Sequence, residues 1–194
     1  TSTGGDANLF TGAASITADA ATTVLVENAA GGLTLSATAD DAQITVSNID
    51  ASGATITVGT GIATAGDSDI DLALDGTGAA TDTVTVAGAG AIDLDVNTAQ
   101  LIETVNLSGT TAAVDYNMVS SVPTTINLTG AQSVTVSQTA DALNGITLTN
   151  GLTSGSATVA INTIATGTVD ASLIAADNFI LEVDAGLQTG AELT

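Results

Sequence analysis

Residues 83–129 read TVTVAGAGAIDLDVNTAQLIETVNLSGTTAAVDYNMVSSVPTTINLT, and this stretch decides the fold class. Short runs within it alternate apolar and polar residues and are rich in β-branched side chains, a pattern typical of half-buried strands and not of helices. Three of these runs, 84–86 (VTV), 105–107 (VNL) and 126–128 (INL), begin 21 residues apart. A run that returns at a fixed interval predicts a repeat architecture in which each repeat contributes equivalent strands.

The interval continues on both sides of this stretch. Every second run begins at Val84, Val105, Ile126, Ile146 and Val169, so that successive runs of this series start at nearly constant intervals. The runs between them begin at Ile92, Val114, Val134 and Val159 and recur at similar intervals. In the first half, two pairs of runs keep a similar separation, Val24 to Ile44 and Leu33 to Ile56. A wider gap at 59–69 (GTGIATAGDSD) predicts a loop inserted in one repeat.

These intervals favour an all-β fold, a right-handed parallel β-solenoid of about seven coils with 20–25 residues each. One coil cannot bury its own apolar side chains, whereas stacked coils share a continuous core of Val, Ile and Leu. We expect residues 1–194 to form a single domain of a longer chain. The alternative is a β-sandwich of immunoglobulin type, which also has alternating strands but does not require a strict recurrence and usually buries an aromatic residue. Trp is absent here, and aromatic residues make up 2%.

The charge composition excludes many functions. The chain has 21 Asp and Glu but no Lys, Arg or His, so its formal net charge is −21. Without cationic side chains it lacks the usual contacts to nucleic acid phosphates and to anionic membranes. It also lacks the residues of Ser-His-Asp catalysis, Schiff-base lysines and P-loops. We therefore expect no enzyme, no nucleic acid partner and no direct membrane insertion.

Superposing the coils by their apolar positions aligns Ile70, Ile92, Val114 and Val134. This alignment predicts that Asp71, Asp93 and Asp115 stack on the outward face and that Asp95 stacks with Asn117. On the other strand track it pairs Asp82 with Glu103, and Asn106 with Asn127. Like charges directly opposite one another on neighbouring strands are unfavourable, and the chain has no cation to neutralise them. A bound hard cation would do so, and oxygen ligands suit calcium above all.

The densest acidic segment runs from Asp67 to Asp82. It holds five aspartates within sixteen residues, with a glycine turn at 76–78 (GTG) that offers backbone carbonyls. This segment predicts a calcium cradle, although no bidentate glutamate follows at the EF-hand spacing. Together with the stacked positions, the candidate metal ligands are Asp67, Asp69, Asp71, Asp75, Asp82, Asp93, Asp95, Glu103 and Asp115. The competing interpretation is a solvated acidic surface that only keeps the protein soluble.

Two phrases resemble a known family. Residues 76–84 (GTGAATDTV) resemble a degenerate glycine/aspartate calcium nonapeptide, with Gly76, Gly78 and Asp82 at the matching positions. Residues 101–109 (LIETVNLSG) resemble a phrase common in RTX-type bacterial S-layer and large surface repeat proteins. Those proteins are similarly rich in Thr, Ala, Gly and Val, poor in Lys and free of Cys. The resemblance implies secretion to the bacterial cell surface, folding in extracellular calcium, and assembly into a lattice or an adhesive coat.

The expected function is therefore a structural module of a bacterial surface layer, surface filament or large adhesin. Its partners would be copies of itself and a cell-surface glycan, and its cofactor calcium. The alternative is an ice- or surface-binding β-solenoid adhesin domain. Threonine pairs at 55–57, 83–85 and 147–149 have the required form, but Asn106 and Asn127 interrupt their track. A remote alternative is a β-helix polysaccharide hydrolase, since two carboxylates are enough for glycoside hydrolysis.

Overall fold

The computed structural model describes the chain in separate segments. These are residues 14–18, 24–27, 33–37, 42–49, 54–58, 70–76, 82–96, 102–118, 123–138, 146–161, 168–169, 179–183 and 192–193. Side chains are described at 34, 55–57, 82–88, 102–118, 123–137, 146–161, 179–180 and 182, and elsewhere in these segments only the backbone is described. The described residues contain strands and turns but no helix, so no membrane-spanning helix occurs in this part of the chain.

Fifteen strands occur in the described segments. The first eight are β1 (Ala14–Ala18), β2 (Val24–Glu27), β3 (Leu33–Ala37), β4 (Ala42–Ile49), β5 (Ala54–Val58), β6 (Ile70–Gly76), β7 (Thr83–Val96) and β8 (Thr104–Met118). The others are β9 (Thr125–Gly130), β10 (Val134–Gln138), β11 (Thr147–Leu152), β12 (Ala157–Ile161), β13 (Thr168–Val169), β14 (Phe179–Val183) and β15 (Glu192–Leu193). Most of these strands combine β-branched or leucine residues at alternate positions with small polar residues between them, as half-buried strands require.

Thirteen of these strands belong to one hydrogen-bonded sheet, and every pairing within it is parallel. The pairing follows two stacks. The first stack consists of β1, β3, β5, residues 83–88 of β7, residues 104–109 of β8, β9 and β11. The second stack consists of β2, β4, β6, residues 90–96 of β7, residues 114–118 of β8, β10, β12 and β14. Because β7 and β8 each contribute to both stacks, they join the two stacks into one sheet.

The all-β prediction is confirmed, and several pairings have the expected register. Val84 pairs with Val105, and Val105 pairs with Ile126. In the first half, Val24 pairs with Ile44 and Leu33 with Ile56, also as predicted. Parallel pairing differs from an immunoglobulin-type sandwich, whose sheets are antiparallel. The alternative fold therefore does not describe this sheet.

Three predicted alignments are wrong, each by two residues. Ile126 pairs with Leu148 and not with Ile146, and Val134 pairs with Ala157 and not with Val159. Ile92 pairs with Tyr116, whereas Val114 pairs with Gly90. The sequence pattern could not exclude these shifts, because moving a strand by two residues keeps every side chain on its own face.

The predicted loop at 59–69 lies outside the described residues. The register around it does change, because Ile44 pairs with Leu72 and Ile56 pairs with Val86. Both pairs are further apart along the chain than Val84 and Val105, or Val105 and Ile126. Both enlarged intervals contain 59–69, so the repeat that spans these residues is longer than its neighbours.

Among the side chains that the structure describes, the core consists of aliphatic columns in both stacks. In β9 the side chains alternate between buried and half-buried, and Ile126 and Leu128 have no exposed surface. Their register partners Val105 and Leu107 are equally buried, as is Val134 in the second stack. In each column one apolar side chain packs on the next. Each Å² of apolar surface buried in this way stabilises the fold by about 25 cal/mol.

Tyr116 is the largest fully buried side chain in the described residues and replaces an aliphatic residue of the second stack. Its hydroxyl lies 2.9 Å from the carbonyl oxygen of Ser108 and 3.1 Å from that of Val86, both in the first stack, so its proton is shared between two acceptors. This contact links the stacks across the core. Tyr116 therefore fills the core between the stacks.

The corners between the stacks also repeat from one level to the next. The turn at 152–156 lies on the turn at 130–133, and the amide of Thr153 donates to the carbonyl oxygen of Gly130 at 2.7 Å. The hydroxyl of Ser154 donates to the carbonyl oxygen of Ala131 at 2.6 Å. Since turns bond to turns one repeat away, the repeat includes the corners as well as the strands.

Candidate functional site

The first candidate site is the column of carboxylates on the second stack. Asp71 in β6 pairs in register with Asp93 in β7, as predicted. Two carboxylate residues therefore occupy directly opposite positions on neighbouring parallel strands, where like charges destabilise the pair by about 0.2–1 kcal/mol. The next residue in this column is Asn117 of β8, which pairs with Asp93 and is exposed.

The prediction that Asp115 is the third member of the column is wrong. Asp115 pairs with Ala91 on one side and with Thr135 on the other, so no acidic residue lies opposite it. The reason is a register shift at the corner of β8. Gly88 pairs with Gly109, but Gly90 already pairs with Val114, so β8 makes a longer corner than β7. The longer corner moves Asp115 two positions away from Asp93.

Asp95 is also displaced by this shift. Its register partner is Ala73 of β6, and Asn117 pairs with Asp93 instead. The predicted stacking of Asp95 with Asn117 is therefore wrong. Of the remaining aspartates, Asp75 lies in β6, where only the backbone is described, and Asp67 and Asp69 lie outside the described residues. Their assignment to a calcium cradle stays a prediction.

Asp82 and Glu103 meet at the start of the first stack, as the sequence predicted. The amides of Glu103 and Thr104 both donate to the carbonyl oxygen of Asp82 at 3.1 Å. The amide of Asp82 donates to Oε2 of Glu103 at 2.7 Å. Asp82 is fully buried and Glu103 is half-buried. The Glu103 carboxylate therefore secures the corner by accepting a backbone hydrogen bond from the preceding level.

The described carboxylates do not converge on one point. Among the side chains that the structure describes, no group of three or more acidic residues comes together with the geometry of a metal site. The acidic pair at Asp71 and Asp93 instead follows the stacking direction, with one residue at each level. Any cation bound to this pair would therefore bridge neighbouring strands.

A second feature of the surface is a polar ladder on the first stack. The amide nitrogen of Asn127 donates to Oδ1 of Asn106 at 2.8 Å, and the amide nitrogen of Asn106 donates to Oγ1 of Thr85 at 3.3 Å. The hydroxyl of Thr149 donates to Oδ1 of Asn127. These four residues come from successive strands in register, so one continuous chain of side-chain hydrogen bonds crosses β7, β8, β9 and β11.

Changing Asn127 to aspartate tests the ladder. Aspartate has nearly the same shape but cannot donate to Oδ1 of Asn106, so two acceptor oxygens would face each other. We expect the free energy of unfolding to fall by about 1–3 kcal/mol, the cost of a broken and partly desolvated hydrogen bond. Chemical denaturation measures the change. The control is Thr147→Asp, which adds the same charge at an exposed site and should change stability by at most about 0.5 kcal/mol. Equal effects of the two variants would show that the ladder adds no stability.

Threonine columns lie beside the ladder, and they were not predicted from the sequence. Thr83, Thr104, Thr125 and Thr147 pair in register on four successive strands of the first stack. The paired-threonine motif is interrupted at two levels, as expected, but its first threonine recurs at every one of these four levels. Asn106 and Asn127 interrupt only the neighbouring column. The signal was present in the sequence as a threonine just before each of the runs at 84, 105 and 126.

These columns form a surface with uncharged side chains, which we name the neutral face. Within the described residues its three columns are Thr83, Thr104, Thr125 and Thr147; Thr55, Thr85, Asn106, Asn127 and Thr149; and Thr34, Thr57, Ala87, Ser108, Thr129 and Gly151. Most of these residues are half-buried or exposed.

Comparison of the chain with protein-family models, with curated proteins and with solved structures finds no significant match.

Proposed function

We propose that this chain is a self-assembling structural module of a bacterial surface layer, surface filament or large adhesin, secreted to the cell surface and stabilised by calcium. The observation that carries the proposal is a parallel sheet of two stacks whose strands recur at regular intervals, in a chain with 21 acidic and no basic side chains. Stacked parallel strands of this kind form an elongated unit with a regular surface, as a structural module requires.

The architecture proposed for this module is the right-handed parallel β-solenoid of about seven coils. Three features support it: alternate strands join alternate stacks, successive levels pair in parallel, and the corners bond to the corners below. The right-handed sense follows from the strong preference of parallel crossover connections for that hand. Neighbouring strands lie about 4.8 Å apart, so seven coils would make a rod about 34 Å long.

Calcium is the proposed counter-charge for the acidic column. Asp71 and Asp93 are direct register neighbours, and Asn117 adds an amide oxygen to the same column. Carboxylate and amide oxygens are the ligands that calcium prefers. The set fits a bridging ion that removes the repulsion between two strands. The other predicted ligands, from Asp67 to Asp82 and at Glu103, belong to the same proposal.

A calcium titration tests this proposal. Calcium at about ten times its dissociation constant should stabilise the fold by about 1.4 kcal/mol. For a chain of this size, that corresponds to a rise in Tm of about 3–6 °C, measured by circular dichroism against a sample with excess chelator. Electron microscopy at the same calcium concentrations should show filaments or sheets.

A matched pair of variants locates the ion. Asp93→Asn removes one charge of the opposed pair and should abolish most of the calcium response. Asp115→Asn removes a charge that has no acidic register neighbour and should leave the response intact. An unchanged Tm of the wild-type chain in calcium, or equal behaviour of the two variants, would contradict a bridging ion in this column.

A further inference from the structure

The distribution of charge over the two stacks is uneven. Within the described residues, the outward positions of the first stack carry no Asp or Glu from Thr34 through to Gly151. On the second stack, Asp115 and Glu182 are exposed, and Glu182 lies in the same register column as Asp71 and Asp93. A chain with a formal net charge of −21 thus has one described face without charge.

The nearest acidic residues lie at the margin of the neutral face. Asp82 is fully buried, and the Glu103 carboxylate accepts a hydrogen bond from the Asp82 amide. Glu103 is therefore held at the corner, next to the first threonine column and not within it. The charge-free area spans the three columns.

We propose that the neutral face is a docking surface for the same face of a second copy of this chain. Two molecules of such high negative charge repel each other wherever their acidic surfaces approach. The neutral face is the described surface on which that repulsion is weakest, and depletion of charged residues is the compositional mark of interface centres. This inference rests on the proposed self-assembly and specifies the surface that mediates it.

The chemistry of the face suits pairing between identical surfaces. Hydroxyl and amide groups both donate and accept hydrogen bonds, so each can pair with its own copy across a two-fold axis. The first threonine column is half-buried or exposed, so its hydroxyls can bond across an interface. The neighbouring ladder fixes Asn106 and Asn127 in place, so little side-chain freedom is lost on docking.

The size of the face predicts a weak contact. Six strands at a spacing of about 4.8 Å and three columns about 6.6 Å apart give roughly 500 Å² per copy. The total of roughly 1,000 Å² lies at the lower limit for a specific interface. A single pair should therefore dissociate readily, and a lattice of many copies would strengthen the contact through multivalency.

Sedimentation of the full chain between about 10 μM and about 1 mM, a range in which weak complexes form, tests the proposal. The experiment is done in excess chelator, which removes any assembly bridged by calcium. Absence of a dimer under these conditions would therefore not contradict the calcium proposal. Absence of a calcium response would likewise not contradict docking through the neutral face. We expect a concentration-dependent dimer in the wild-type chain. Thr125→Asp places a charge at the centre of the first column and should weaken dimerisation at least tenfold. Thr125→Asn keeps the face neutral and should retain it.

The charge control is Thr135→Asp, which lies on the second stack between Asp115 and Thr158. It adds the same charge outside the neutral face and should leave the dimer constant within about twofold, while Tm verifies that each variant is folded. A wild-type chain that is monomeric up to about 1 mM, or equal loss in Thr125→Asp and Thr135→Asp, overturns the proposal. A chain that stays monomeric and changes the shape of growing ice crystals also overturns the proposal, because the neutral face would then bind ice and not a second copy.

Discussion

Between about pH 10 and pH 12 the free energy of unfolding should fall by about 2 kcal/mol, through the ionisation of Tyr116 alone. Burial raises the pKa of the Tyr116 hydroxyl far above its ordinary value. The folded state therefore keeps the proton while the unfolded state loses it above about pH 10. Stability is fully present below that pH and declines by about 1.4 kcal/mol per pH unit above it.

The composition allows the pH dependence of stability in this range to be assigned to Tyr116. The chain has one Tyr and no Cys, Lys, Arg or His, so no other side chain titrates in the alkaline range. Chemical denaturation at a series of pH values gives the slope, and tyrosinate absorption of the folded protein shows whether the proton is retained. The variant Tyr116→Phe should be less stable at neutral pH by about 1–3 kcal/mol, because two carbonyl groups lose their donor. Its stability should not change between pH 10 and 12, and a slope equal to that of wild type would contradict a buried, neutral Tyr116.

Replacing Gly155 by alanine should lower the free energy of unfolding by about 2–5 kcal/mol, the sum of a conformational and a steric cost. Gly155 has a φ of 85°, a left-handed conformation that costs other residues about 1–2 kcal/mol. A Cβ atom at this position would also lie 2.6 Å from the Ser133 amide nitrogen and 2.7 Å from the Gln132 carbonyl carbon. These atoms belong to the backbone of the corner below, so relieving the contact requires moving two levels apart, at a cost of about 1–3 kcal/mol.

Gly130 provides the matched control for Gly155. Its φ of 96° is equally left-handed, but a Cβ atom there would meet its nearest neighbour, Cβ of Ser108, at 3.4 Å. Gly130→Ala should therefore cost only the conformational part, about 1–2 kcal/mol. Thermal and chemical denaturation of both variants measures the difference. Equal destabilisation would show that the stacked corners are loosely packed, contrary to the hydrogen bond between Thr153 and Gly130.

Much of the fold could be predicted from the sequence because each repeat uses the same residue types at the same positions to form its strands. A β-branched residue at every second position predicts a strand, and its return at a fixed interval predicts a neighbour in parallel. That reasoning placed Val84 on Val105 and Val105 on Ile126. It also placed Asp71 beside Asp93, because the two strands share the same alternating pattern.

The candidate site was predicted less well, and the errors have one physical origin. Side chains alternate with a period of two, so a shift by two residues leaves the buried face buried and the outward face outward. The pattern of β8 is thus satisfied whether Val114 or Tyr116 lies opposite Ile92. The longer corner between Gly109 and Val114 decides for Tyr116, and Asp115 consequently leaves the acidic column.

The sequence alone therefore determined the strands, their parallel recurrence and the excess of negative charge, because these depend on residue type and on spacing along the chain. The tertiary structure decided which side chains share a level. It assigned Asn117 to the acidic column in place of Asp115, connected Asn106 to Asn127 by a hydrogen bond, and aligned the threonines into a face without charge. Register is set by the length of each corner and by the fit of core residues such as Tyr116. Neither can be read from the alternation of apolar and polar residues, which is the same before and after a shift of two residues.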